Sequence, residues 1–454
     1  MTDDHIAIIG CGAAGATAAM QARKANRKVP ITIFNREPYS QYSRCGLPYT
    51  ISGKVREFED LILMKEDNWS ALKVDVKLGT DVTSVDIETK TLEYESEDGH
   101  GSLEFSKLIL ATGAANADPP IKGLDKSRVY GLRTMDDAKQ LVEEADKAEK
   151  VVVIGGGLVG METAEAFLER GLDVTVVEFL PNILLAMVDP DMAEIVEEQC
   201  KEHGLKILCN TAAQEITGAD EPETVLVQDR ETEQTTEIDA DIVVVATGVR
   251  ATTDLAETID VEIGPTGGIV ADETMMTSIE DVYACGDCVE HKEFITGNPM
   301  VGGLGTVAVR QGRVAGINAA GGDAIFPGIV GAKVTKLFGM EIASTGLTEH
   351  LADEFDVKVK KGSIKGETKP PYYVGGKDIK VKTYYTKSEG KLVGGQLVGL
   401  EDAAMRLNVI TLGIQQEINA VELFDFENCY APAICDTWDP LVKSASVARR
   451  RLRM

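Results

Sequence analysis

The chain has 454 residues, with 46 basic against 74 acidic and a net charge of −28, a balance that argues against nucleic acid or an anionic membrane as a partner. Its length suits about three domains, and no apolar run approaches the length of a membrane span. Eight cysteines without regular pairing or metal-ligand repeats, and an opening Met1-Thr2-Asp3-Asp4-His5 that does not read as a signal peptide, lead to expectations of reduced thiols, no metal site and a cytoplasmic location.

Ile6-Ala7-Ile8-Ile9 reads as a short buried strand. It is followed at once by Gly10-x-Gly12-x-x-Gly15, an Ala-rich helix to about Lys24 and a second strand over residues 31–34. Glycines at that spacing permit a tight turn, close approach of backbone amides to a pyrophosphate and helix-on-strand packing, while the helix N-terminus stabilises phosphate charge. The strand ends in Asn35-Arg36-Glu37, so the usual acid for a ribose is replaced by Asn35, which still pairs with hydroxyls. Next comes Ser43-Arg44-Cys45-Gly46-Leu47-Pro48-Tyr49. Cys45 is predicted to open a helix whose dipole, with neighbouring Arg44, favours the thiolate.

Residues 108–110 form an apolar run ending in Ala111-Thr112-Gly113. The strand-turn-helix pattern then recurs. Residues 151–154 lead into Gly155-x-Gly157-x-x-Gly160, a helix to about Arg170, and a strand over 173–177 that ends in Glu178. An acid there accepts hydrogen bonds from a ribose 2′-hydroxyl and repels a 2′-phosphate, which favours NADH over NADPH. One glycine motif is weak evidence, whereas two in the correct context make packing alone a poor explanation. A further run ends in Ala246-Thr247-Gly248, and another, Val282-Tyr283-Ala284-Cys285, in Gly286-Asp287. From Phe326 onward strand-like runs precede helical ones, as in an α+β layer.

This set resembles the FAD-dependent pyridine nucleotide-disulfide oxidoreductases. The resemblance implies an α/β protein with two Rossmann-like dinucleotide-binding domains, the NAD domain (115–244) inserted in the FAD domain (1–114 and 245–324), and a C-terminal α+β dimerisation domain (325–454). The crossings are expected at residues 114–120 and 247–250, where composition favours turns. By the same resemblance Gly10, Gly12, Gly15 and Asp287 hold FAD, with Asn35, Arg36, Thr112 and Gly113 beside it. Gly155, Gly157, Gly160, Glu178 and Gly248 hold NADH, and Glu162 stands by the nicotinamide.

Position 50 is Thr, so the Cys-x4-Cys of glutathione-reductase-like members is missing, and no histidine lies in the last hundred residues. The block from Tyr42 to Tyr49 is similar to that of the single-cysteine branch, the coenzyme A disulfide reductases, persulfide and polysulfide reductases and NADH oxidases. This implies a homodimer with Cys45 as the redox thiol and Tyr373 and Tyr430 from the second subunit in place of the missing histidine. Gln21, Lys24, Arg44, Lys73 and Arg310 fall where the branch binds substrate and coenzyme A, and Lys24 forms a basic patch with Arg23, Arg27 and Lys28. Peroxide- and oxygen-reducing relatives carry a His where this chain has Ala13, which favours thiol and sulfur substrates. The stretch 301–309 departs from the branch's usual residues. Alternatives are an NADH oxidase and an NADH-dependent reductase of a small electron-transfer protein. Cys11, Cys200, Cys209, Cys285 and Cys288 read as small buried residues. Cys435, with Cys429 on the other side of Tyr430, is weighed as a resolving thiol for Cys45.

Overall fold

The β-branched runs 6–9 and 31–34 are buried on both faces and form adjacent parallel strands, Ile6–Ile9 and Ile31–Asn35. They lie at the centre of a five-stranded parallel sheet in the computed structural model, which describes residues 4–300 and 302–454. Val301, the first residue of the divergent stretch, and Met1 to Asp3 lie outside the described residues. The sheet order is Val282–Ala284, Lys107–Leu110, Ile6–Ile9, Ile31–Asn35, Asp75–Leu78. Three strands, Asp81–Asp86, Thr91–Ser96 and Gly99–Glu104, make an antiparallel meander. Helices Ala13–Ala25 and Gly305–Ala319 pack along each other and share one apolar core with the sheet through Ile8, Ala18, Ile33, Cys285 and Val314.

These elements belong to the first of two units, which comprises the chain to Ala117, Arg133–Met135 and Val249–Ile329. The predicted turn segments at the crossings are instead a small antiparallel ribbon, Ala114–Asn116 paired with Val249–Ala251. Two neighbouring extended segments satisfy their backbone groups on each other more completely than isolated turns do.

The second unit comprises Asp118–Leu132, Asp136–Gly248 and Val330–Met454, so the second dinucleotide fold and the C-terminal layer pack together rather than standing as separate bodies. Its parallel sheet runs Lys206–Leu208, Asp173–Val177, Lys150–Ile154, Ile242–Val245, Val129–Tyr130. The C-terminal sheet is antiparallel, in the order Lys333–Leu337, Met340–Gly346, Leu392–Gly399, Asp378–Thr386, Val359–Glu367, with helices Ala403–Gln415 and Pro440–Leu452 against it.

A buried polar cluster joins these parts of the second unit. Lys382, 1% exposed at its side chain, pairs with Asp189 at 3.1 Å and with Asp191. The Tyr384 hydroxyl donates to Asp189, the Asp189 amide donates to Gln396 Oε1 at 3.0 Å, and Lys380 pairs with Asp191 at 2.7 Å. Burial, and then Asp189 beside it, holds the Tyr384 phenol far above its usual pKa, so it remains a donor. Removing one partner of a buried ion pair strands the other charge. Lys382→Met is therefore expected to cost about 3–5 kcal/mol, read as a lower denaturant midpoint, and an unchanged midpoint would show that the cluster contributes nothing net.

Candidate active site

Both glycine turns have the same construction. Gly10 has φ +108°, and a Cβ there would lie 2.2 Å from the Ala111 carbonyl oxygen, while one on Gly15 would lie 1.9 Å from Gly10 O. Gly12 faces open space and caps the helix Ala13–Ala25 without any side-chain hydrogen bond. Its first amides are thus left for an anionic ligand. In the second unit Gly155 (φ +113°) meets Ala246 O, Gly160 meets Gly155 O, and Gly157 is open at the uncapped start of Leu158–Glu169. Each turn is a cradle that a pyrophosphate fits and a side chain would fill.

Asn35 does not stand free for a ribose. Its Oδ1 accepts the Cys11 amide at 2.9 Å and its Nδ2 donates to the Glu37 and Tyr39 carbonyls at 3.0 and 2.9 Å, so both amide hydrogens already hold the turn and the following loop. Arg36 points to the surface in an ion pair with Asp81 at 3.0 Å. Glu37 is the organising acid: it accepts the Tyr42 hydroxyl at 2.6 Å and pairs with Arg44, whose guanidinium also donates to Arg133 O at 2.7 Å. The charge expected to favour a thiolate or bind substrate is therefore engaged by the protein.

Thr112 donates to Thr252 O at 2.6 Å, and Gly113 (φ +74°) accepts the Thr252 amide at 3.0 Å. Asp287 pairs with Arg133 Nη2 at 2.7 Å, and Arg133 Nε donates to Ala114 O at 3.0 Å. Arg133 had no motif to mark it, because it lies in a short segment between the strand Val129–Tyr130 and the helix Met135–Ala145 that returns to the first unit.

Cys45 sits in the 3₁₀ turn Arg44–Gly46 that runs directly into the helix Leu47–Ile51. Its side chain is exposed, and the turn beneath is closely packed, since a Cβ on Gly46 would fall 2.3 Å from Leu61 Cδ2. Most other thiols are placed differently. Burial pushes Cys11 up to about 11 and Cys200 up to about 12, while burial and Glu197 take half-buried Cys209 to about 12. Cys285 and Cys288 are fully enclosed and raised by burial. Such thiols stay protonated and inert.

Tyr430 lies on an exposed loop, and its hydroxyl is 2.6 Å from that of Tyr372, not of Tyr373. This hydrogen bond is the main cause of a raised Tyr430 pKa. Tyr372 had no signal of its own in the sequence, because only the shape of the loop decides which of two adjacent tyrosines meets Tyr430. Cys435 is buried with its S–H on Cys429 O at 3.0 Å, whereas Cys429 is exposed; a resolving role would require Cys435 to leave that contact.

Gln21 is half-buried and Lys24, Arg27 and Lys28 are exposed toward the end of Ala13–Ala25, as are Lys73 and Arg310. Arg23 is spoken for: its guanidinium donates to Leu72 O and Lys73 O, both at 2.8 Å, tying Lys73 (φ +53°) to the helix end. In the second unit Glu178 is buried, its carboxylate accepting the amides of Gly156 and Leu180. Beside it Phe179 is exposed with the Arg230 guanidinium 3.8 Å over its ring, a pair the sequence reading missed. Glu162 accepts the Thr335 hydroxyl at 2.6 Å, and burial raises its pKa. Gly248 (φ +123°) closes the Ala-Thr-Gly turn.

Residues 4–312 match the profile described as pyridine nucleotide-disulphide oxidoreductase, and 333–440 match the dimerisation domain of the same family. The chain belongs to this family. It is 37% identical to an NADH oxidase of Methanocaldococcus jannaschii over 98% of each chain. It is 33% identical to an NAD(P)H sulfur oxidoreductase (CoA-dependent) of Pyrococcus abyssi, again over 98% of each. Its fold matches an NAD-dependent persulfide reductase from A. fulgidus with a TM-score of 0.94 and 34% identity, covering 98% of this chain and 83% of that one. Membership makes the chain an oxidoreductase and implies FAD and NAD(P)H, and the two open glycine cradles fit two dinucleotides. No helix among the described residues is long and apolar enough to cross a membrane.

Because Glu178 is anchored by two amides, its carboxylate is held in one place at the strand end. Glu178→Ala is expected to narrow the preference for NADH over NADPH by about 1–3 kcal/mol in kcat/KM. Equal use of both by the unaltered protein would remove the assignment.

Proposed function

We propose that this chain is a homodimeric flavoenzyme that uses NADH to reduce a coenzyme A disulfide, persulfide or polysulfide through Cys45. The observation that carries this reading is the exposed Cys45 thiol on a closely packed turn, in the same unit as the first dinucleotide cradle and Asp287. FAD, when bound by the Gly10–Gly15 turn and Asp287, supplies the relay that takes a hydride from NADH and returns two electrons. The Cys45 thiolate attacks one sulfur of the substrate; its new S–S bond forms as the substrate's S–S bond breaks, and the other sulfur leaves as thiolate. That leaving thiolate takes a proton from the Tyr372–Tyr430 hydroxyl pair of the second copy, which a dimerisation domain would bring to the site. Two electrons then cleave the mixed disulfide, releasing the second thiol after protonation and restoring the Cys45 thiolate.

Two features support coenzyme A as the carrier of the sulfur. Lys24, Arg27, Lys28 and Lys73 form an exposed cationic group on a chain of charge −28, suited to phosphates, and the P. abyssi relative is named as CoA-dependent. The M. jannaschii relative's name favours a second reading, an NADH oxidase in which Cys45 cycles through a sulfenic acid; Ala13, where oxygen- and peroxide-reducing relatives carry His, weighs against it.

Cys45→Ser is expected to keep FAD and its reduction by NADH in single-turnover absorbance measurements, yet lose disulfide turnover by about 100-fold or more. Undiminished turnover would instead indicate direct electron delivery to another acceptor. Charge reversal at Lys24 and Lys73 together is expected to raise KM for coenzyme A disulfide about tenfold or more, with KM for inorganic polysulfide little changed.

A further inference from the structure

Behind the Gly286-Asp287 motif the first unit contains a buried polar relay. Gln311, in the middle of helix Gly305–Ala319, is 1% exposed, and His291 is 2% exposed. The Gly286 amide donates to Gln311 Oε1 at 2.9 Å, which fixes the orientation of that side-chain amide. Gln311 Nε2 then lies 3.1 Å from His291 Nδ1, and His291 Nε2 lies 2.6 Å from Gly302 O. An amide nitrogen carries only hydrogens, so His291 Nδ1 accepts and Nε2–H donates to Gly302: the ring is neutral and in one tautomer. Burial keeps its pKa below the usual value despite the Gly302 carbonyl and Asp287. A proton on Nδ1 would face the Gln311 NH₂ group.

The two ends of this relay bracket Asp287. Gly286, on one end, is the residue before it. Gly302, on the other, leads into Gly303, whose Cβ would sit 3.7 Å from Asp287 Oδ2. Arg133 pairs with the same carboxylate oxygen. Packing further limits the loop, since a Cβ on Gly302 would fall 2.6 Å from His291 Cδ2. At residues 302 and 303 the loop has no side chain of its own to anchor it: the preceding Pro299–Met300 is held by backbone pairing to His291–Lys292, and Gly302 by the imidazole.

We propose that His291 is a positioning residue for the flavin: the neutral ring, oriented by Gln311, pins the Gly302–Gly303 loop over Asp287 so that this carboxylate keeps one geometry toward the bound cofactor. The inference rests on Asp287 as an FAD ligand. It predicts that a change at a side chain only 2% exposed alters cofactor affinity and flavin electronics together.

The test compares Asp287→Ala, His291→Phe and His291→Gln by FAD binding to the apoprotein, the flavin midpoint potential and visible spectrum, with thermal unfolding of each. Phe keeps the ring's bulk and loses both hydrogen bonds; Gln offers an NH₂ to Gly302 and an oxygen to Gln311. The expected result is an FAD Kd raised roughly tenfold in His291→Phe, with a shifted potential, and recovery to within about threefold in His291→Gln. A folded His291→Phe with the original Kd and potential, or a His291→Gln as impaired as Phe, overturns the proposal. Should His291→Phe fail to fold, Gln311→Met breaks the relay from the helix side and must give the same losses, and wild-type values in it overturn the proposal equally. If Asp287→Ala alone leaves FAD binding unchanged, the reading of Asp287 falls; if it abolishes binding while the His291 variants behave as wild type, only the positioning role falls.

Discussion

Two backbone carbonyls govern this molecule. Ala111 O and Ala246 O occupy the space that a side chain on Gly10 or Gly155 would need, so each strand-to-helix turn closes only if those positions are glycine. That closure sets the helix Ala13–Ala25, and likewise Leu158–Glu169, with its first amides uncapped and facing open space at Gly12 and Gly157. A polar cost accepted in the turn, the uncapped helix start, becomes the binding feature for a charged ligand. The parallel strands on either side, buried on both faces, then fix the direction from which everything else in each unit approaches.

Around the first turn the charges are paired so that few remain free. Glu37 gathers Tyr42 and Arg44, and Asp287 holds Arg133, both groups being partly buried, where an unpaired charge is costly. Asn35 joins the turn to the loop that follows. This leaves Cys45 exposed on a packed turn with its neighbouring cation committed elsewhere. It also leaves the lysines near the end of Ala13–Ala25 as the accessible positive charge of that region. Groups that shape the turn are tied inward, and these lysines point out.

Relatives named as NADH oxidase, sulfur oxidoreductase and persulfide reductase share the same scaffold with this chain at 33–37% identity. The scaffold of the first unit fixes the turn that exposes Cys45 and the glycine cradle at Gly10–Gly15. A shared scaffold does not fix the acceptor, because the chemistry of a site rests on particular residues carried by the fold rather than on the fold itself.

Much of this was legible in the sequence. Both glycine motifs, the apolar strands and the solitary Cys45 obey short local rules, because turn sterics and strand burial act over a few residues. What the sequence did not carry were the partners of its polar groups. Asn35 is engaged by the Cys11 amide and the following loop, Arg44 by Glu37 and Arg133 O, and the hydroxyl beside Tyr430 is that of Tyr372, not of Tyr373. Arg133, Arg230, His291 and Gln311 carried no local signature. The sequence by itself determined where backbone must come close and which thiol stands apart, since those follow from side-chain size and spacing. Only the tertiary structure decided which polar groups are already satisfied, because a hydrogen bond between residues about a hundred positions apart leaves no pattern in either neighbourhood.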